Sequence, residues 1–250
     1  MGESLLEVNG LTMAFGSLYA NQDVTFDVPT GQIVALIGPN GAGKTTCFNC
    51  VTGFPRPTGE SIRFAGTDIT HAAPYDVCRL GLARTFQIVH TFHDMTVMEN
   101  ILTAAFLRES STREAATAAQ QALELTGLGH LQDKLGRSLT IAGKKRIEIA
   151  RALATKPRLI MLDETMAGLN QTEIREAMDL CVRLKKEGLT LVIVEHIMEA
   201  IMPISDKVVV LDSGRKIMEG TPQEVTSDER VIKAYLGDTG GQLQCCELDL

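Results

Sequence analysis

The chain has no long run of lysine or arginine: 24 basic residues stand against 31 acidic ones, for a formal net charge of −7. That balance lacks the footprint by which proteins neutralise phosphate backbones, so no nucleic-acid partner is expected. No apolar stretch approaches the roughly 18 to 20 residues needed to cross a bilayer, and the first residues carry none of the regions of a secretory signal. A chain made and kept in the cytoplasm is the expectation. Cysteine is scarce too: Cys47, Cys50, Cys78, Cys181, Cys245 and Cys246 are too few and too irregular for a disulfide scaffold. Cys47 and Cys50 form a Cys-x-x-Cys, but no second Cys or His pair stands nearby to complete a zinc site, and helix packing is the simpler role.

What is present is enough apolar residue, 44% of 250, to bury a substantial core in one large domain or two small ones. Residues 5–8 and 25–28 alternate apolar and polar, as half-buried strands do, so the chain opens with a β-rich layer. Residues 32–37, 159–162, 191–194 and 207–211 are short apolar runs of the kind that form fully buried strands. Helical stretches, such as 171–187 and 197–202, separate the later runs, an alternation that predicts a mostly parallel sheet flanked by helices. Residues 97–154 contain no comparable run and are rich in Ala, Glu, Gln and Leu, which predicts a helical subdomain inserted into an α/β core. A single domain over 1–240 and a loose tail over 241–250 complete the expected organisation.

The chemistry is concentrated in Gly38-Pro39-Asn40-Gly41-Ala42-Gly43-Lys44-Thr45-Thr46, between an apolar strand and a helix. Glycines there let successive N–H groups converge on one anion, and the helix that begins at the loop adds its positive dipole end. Such a loop is built for a triphosphate: Lys44 reaches the terminal phosphates, Thr45 ligates Mg²⁺ and Thr46 serves the innermost phosphate. A second element, the apolar run 159–162, delivers Asp163 and Glu164 at its carboxyl end, the end that faces the phosphates in this fold class. Asp163 would hold Mg²⁺ through water, while Glu164 would orient or deprotonate the attacking water. Gln87, in Arg84-Thr85-Phe86-Gln87, could bridge metal, water and a moving segment.

In this order the phosphate loop, Gln87, the loop 139–143, the strand 159–164, Gly168-Leu169-Asn170 and His196 resemble the ATP-binding subunits of ABC transporters over nearly the whole chain. Residues 81–87, 95–100, 148–153 and 167–170 are similar to the branched-chain amino-acid importer group, with urea and short-amide importers as near relatives. The resemblance implies a P-loop NTPase fold with an N-terminal antiparallel β layer and an inserted helical subdomain. It further implies ATP and Mg²⁺ as ligands, Phe15 stacked on adenine and His196 against the γ-phosphate. A second ATP-binding subunit, identical or paralogous, integral membrane permease subunits and a separate solute-binding protein are the implied partners. The place of work would be the cytoplasmic face of the inner membrane.

Two departures stand out. The family's signature loop, Leu-Ser-Gly-Gly-Gln or a near variant, closes over the γ-phosphate of the partner subunit. Here Leu139-Thr140-Ile141-Ala142-Gly143 keeps a hydroxyl at Thr140 but has Ala142 for the second glycine, a methyl group where backbone should approach an anion. The proline usual after Glu164 is replaced by Thr165. Together they leave open a slow, regulatory ATPase. A soluble small-molecule kinase is the alternative from another class, and the signature-like loop and His196 weigh against it.

Overall fold

The computed structural model describes residues 3–59, 61–87 and 89–236. The chain opens with β1 (Ser4–Phe15) and β2 (Leu18–Pro29), a long hairpin, and crosses to β3 (Ile33–Ile37) and the first helix, α1 (Lys44–Val51). Short strands β4 (Ser61–Phe64) and β5 (Thr67–Asp68) return to the hairpin, giving a four-stranded antiparallel sheet in the order β2-β1-β4-β5. The expected half-buried strands at 5–8 and 25–28 are thus parts of longer ones, twisted by register shifts that let the pairing run past Gly10 and Asp23.

Helix α2 (Pro74–Leu80) leads to β6 (Leu82–Arg84), and three helices follow: α3 (Val97–Ala105), α4 (Thr112–Leu125) and α5 (Ile141–Ala154). Among the described residues of 97–154 no strand interrupts them. Thr96 and Asn170, and Thr221 further on, start their helices with capping boxes, while Thr140 caps α5 through the Gly143 N–H. The rest alternates: β7 (Leu159–Asp163), α6 (Gln171–Lys186), β8 (Thr190–Val194), α7 (Met198–Ile201), β9 (Lys207–Asp212), β10 (Arg215–Gly220), α8 (Pro222–Ser227) and α9 (Glu229–Leu236). The second sheet has the order β10-β9-β3-β8-β7-β6, parallel except for β10. Strand β6 has only three residues, too short to stand out as an apolar run, yet it forms one edge.

Alternation along the parallel strands divides the core. Ile33, Ala35 and Ile37 of β3 pack with the helical side, whereas Val34 and Leu36 pack with α1 and the antiparallel sheet. Both faces are covered, so these strands are apolar throughout. Cys47 and Cys50 lie in the second of these cores, where burial pushes the Cys47 thiol up and the Cys50 thiol up to about 11. Both side chains are buried among apolar neighbours, as helix packing requires. Cys245, Cys246 and the expected loose tail lie outside the described residues.

Candidate functional site

Because β3, β6, β7 and β8 run parallel, their carboxyl ends emerge on one edge, and each hands the chain to a segment singled out above. From β3 comes the loop 38–43, in which Gly38, Gly41 and Gly43 have φ of 150°, 82° and 93°. A Cβ on Gly38 would sit 2.1 Å from the Leu211 carbonyl oxygen, and one on Gly43 would sit 2.3 Å from that of Ala20. The loop therefore needs glycine both for conformation and for clearance. Lys44 folds back over it, donating to the carbonyls of Gly38 at 2.7 Å and Pro39 at 2.9 Å. Burial lowers the Lys44 pKa, opposed by the charges of Glu164 and Asp163. Asn40 through Thr46 line a hollow of about 280 Å³, closed by Leu18, Tyr19, Ala20 and Glu164.

From β7 come the two carboxylates. Asp163 is buried; its amide donates to Thr85 Oγ1 at 3.2 Å, and its Oδ1 has no hydrogen-bond partner among the described residues. Burial raises the Asp163 pKa, with the Arg84 charge acting against that rise. Glu164 holds a left-handed backbone, φ 46°, a conformation that costs a non-glycine residue about 1–3 kcal/mol and persists only where its surroundings enforce it. Its amide donates to Val194 at 2.9 Å, and its Oε2 accepts from Gln87 Nε2 at 2.7 Å. Gln87, 77 positions away in sequence, is thus brought onto Glu164 as β6 and β7 pair.

The other expected residues are placed differently. Phe15 is exposed at the hairpin turn and does not line the hollow; its cross-strand neighbour Leu18 does, as does Tyr19. His196 follows β8, but its side chain is exposed and also lies outside the lining. Thr140, Ala142 and Gly143 form the N-terminal turn of α5, apart from the hollow, with Ile141 beside them 60% exposed.

Three residues not singled out from the sequence complete the arrangement. The Arg84 guanidinium is stacked among Phe48, Phe54 and Phe86 and reaches to 3.9 Å from Asp163 Oδ2. Lys145 of α5 donates to the carbonyls of Glu164 and Ala167, and the fully buried Glu195 accepts from the Met166 amide. Lys145 did carry a signal: it stands four and seven residues before the buried Ile149 and Ala152, on an inward stripe of its helix. Arg84 and Glu195 stand at strand ends, where the sequence carries no such pattern.

An ABC transporter family model matches residues 21–167, and a branched-chain amino acid ATP-binding cassette transporter model matches 215–240. The high-affinity branched-chain amino acid transport ATP-binding protein BraF of Pseudomonas aeruginosa is 41% identical, over 95% of this chain and 100% of that protein. LivG of Escherichia coli, of the same description, is 39% identical over 95% and 100%. The lipopolysaccharide export system ATP-binding protein LptB of Haemophilus influenzae is 32% identical over 94% and 98%. Among solved structures, a nucleotide-free ATP-binding cassette from an ABC transporter superposes with a TM-score of 0.86 at 30% identity, covering 94% of this chain and all of that one.

Proposed function

The chain belongs to the ATP-binding subunits of ABC transporters, within the branched-chain amino acid group, and from that premise we propose that it hydrolyses ATP to drive uptake of branched-chain or related amino acids. The observation that carries the reading is Gln87 on Glu164 at 2.7 Å, at the mouth of a glycine loop whose lysine is already folded inward. The match over 215–240 favours amino-acid import over the export role that LptB's name carries.

The loop amides, Lys44 and Thr46 bind the phosphates, and Phe15, beside Leu18 and Tyr19, offers an aromatic face for adenine. Thr45 and Gln87, with Asp163 acting through water, would hold Mg²⁺, which when bound neutralises charge on the phosphate oxygens; Asp163 Oδ1 has no other partner among the described residues. Glu164 takes a proton from water as the water oxygen bonds to the terminal phosphorus and the bond to the ADP oxygen breaks. His196, just after β8, would contact the terminal phosphate.

The loop 139–143 lies away from its own hollow, which fits a role in the site of a second ATP-binding subunit. Between the segment after β6 and the helices, a cavity of about 350 Å³ lined by Phe54, Tyr75, Arg84, Phe86, His90 and Arg151 is where we place a helix of the permease. No helix among the described residues is long and apolar enough to cross a membrane, so the subunit would sit peripherally at the cytoplasmic face. Specificity in this scheme resides in the membrane subunits and a solute-binding protein, and residues 1–240 act as one domain with 97–154 as its helical subdomain.

Hydrolysis by the assembled transporter carrying Glu164→Gln tests the reading: turnover should fall by about two orders of magnitude or more with ATP affinity retained. Unchanged turnover would refute it. Ala142 favours a second reading, a slow site in the neighbouring subunit, and a rise of roughly fivefold or more in Ala142→Gly would select it.

A further inference from the structure

The helix that begins at the loop 139–143 reaches back to its own chain's Glu164. Lys145, in its second turn, extends Nζ to the Glu164 carbonyl at 3.0 Å and the Ala167 carbonyl at 2.6 Å. Between those two residues, the Met166 amide donates to Glu195 Oε1 at 2.7 Å. Glu195 is 0% exposed, and its second oxygen, Oε2, has no partner among the described residues. The Lys145 and Glu195 charges act on one another across this turn. Four consecutive residues, Glu164 to Ala167, are thus held by an ammonium from α5 and a carboxyl from the end of β8.

The held turn contains the strained residue. Glu164 keeps its left-handed backbone without the help of glycine, and its amide is already committed to Val194. Its carbonyl is free to swing unless something fixes it, and a charged donor fixes a carbonyl more firmly than a neutral one does. The carboxylate of the same residue is the one that accepts from Gln87.

We propose that Lys145 is a positioning residue for hydrolysis: it clamps the Glu164–Ala167 turn so that the Glu164 carboxylate stays aimed at the hollow, and it ties that aim to the seating of α5. Glu195 completes the clamp by holding the Met166 amide. The signature-like loop and the catalytic carboxylate of one chain are then mechanically joined through a single helix turn. When the loop engages the neighbouring subunit's nucleotide, α5 and Glu164 shift together, which gives each site information about the other. This inference rests on the reading of Glu164 as the catalytic carboxylate.

Steady-state hydrolysis by the assembled transporter, measured across ATP concentration for Lys145→Met and Lys145→Arg, is the test, with fluorescent-nucleotide affinity and thermal unfolding followed in parallel. The clamp predicts that kcat in Lys145→Met falls about tenfold or more, KM and nucleotide affinity stay within about twofold, and Lys145→Arg recovers at least half the rate. A kcat within about twofold of wild type overturns it, and so does a loss of kcat accompanied by equal losses of affinity and thermal stability. If Lys145→Met does not fold, Glu195→Gln decides in its place: it keeps an acceptor for Met166 and removes the charge, and an unchanged kcat then overturns the clamp. Glu164→Gln separates the two claims, since full activity there defeats the catalytic assignment, whereas full activity in Lys145→Met alone defeats only the clamp.

Discussion

Replacing Arg84 with alanine should destabilise the protein far more than a residue at a strand end usually would. The guanidinium carbon lies 4.6 Å from the centre of the Phe48 ring, 4.7 Å from Phe86 and 5.6 Å from Phe54. Partly desolvated contacts of that kind contribute about 0.5–1 kcal/mol each. Nη1 donates to Asn49 Oδ1 at 2.7 Å and Thr52 Oγ1 at 3.0 Å, bonds from a charged donor that contribute about 1.5–3 kcal/mol. The remaining effect concerns Asp163, whose carboxylate is 3.9 Å from Nη2 with the two side chains only 12% and 2% exposed. At an effective dielectric of about 20 that separation corresponds to roughly 4 kcal/mol of attraction, from which desolvation of both ions subtracts.

These contributions overlap, and the net loss expected for Arg84→Ala is about 3–4 kcal/mol, or a fall of roughly 10 °C in Tm for a chain of this size. Urea and thermal unfolding of the nucleotide-free protein would measure it, together with Asp163→Asn and the double variant. If the orphaned carboxylate is the main cost, Asp163→Asn on the Arg84→Ala background should restore at least about 1 kcal/mol, and Arg84→Lys should fall between. A loss below about 1 kcal/mol, or a coupling energy indistinguishable from zero, would refute the assignment of Arg84 as the counter-charge that holds Asp163 in place.

Two further predictions concern the phosphate loop and the buried carboxyl. Gly43→Ala should weaken binding of a fluorescent ATP analogue by about a hundredfold, because the new methyl group meets backbone of β2; Gly41→Ala, with open space at its Cβ but φ of 82°, should cost only about 1–2 kcal/mol of stability. Equal affinities for wild type and Gly43→Ala would argue against the clash. Burial raises the Glu195 carboxyl above its ordinary 4.5, so its contribution to stability is complete below that value and is lost as pH rises through the folded one. Wild-type Tm should therefore decline relative to Glu195→Gln from pH 4.5 upward, and Tm curves that stay parallel as pH rises from 4.5 would count against a raised value.

Much of this architecture is legible in residue order alone. A glycine at 38, 41 and 43 is demanded by backbone conformation, and the short apolar runs at 32–37, 159–162 and 191–194 suit strands covered on both faces. The phosphate loop, Asp163 and Glu164 could be found because each depends on neighbours within a few positions. The strands at 61–64 and 82–84 could not, since four or three residues carry too little periodicity and their identity comes from the partner they pair with. Arg84 and Lys145 are cations whose significance lies in what they reach, and a sequence contains no distances. Local chemistry therefore marked where phosphate would bind, while parallel pairing of β6, β7 and β8 decided that Gln87 meets Glu164 and that Glu195 meets the Met166 amide. Contacts between residues 29 to 77 positions apart exist only once the sheet has closed.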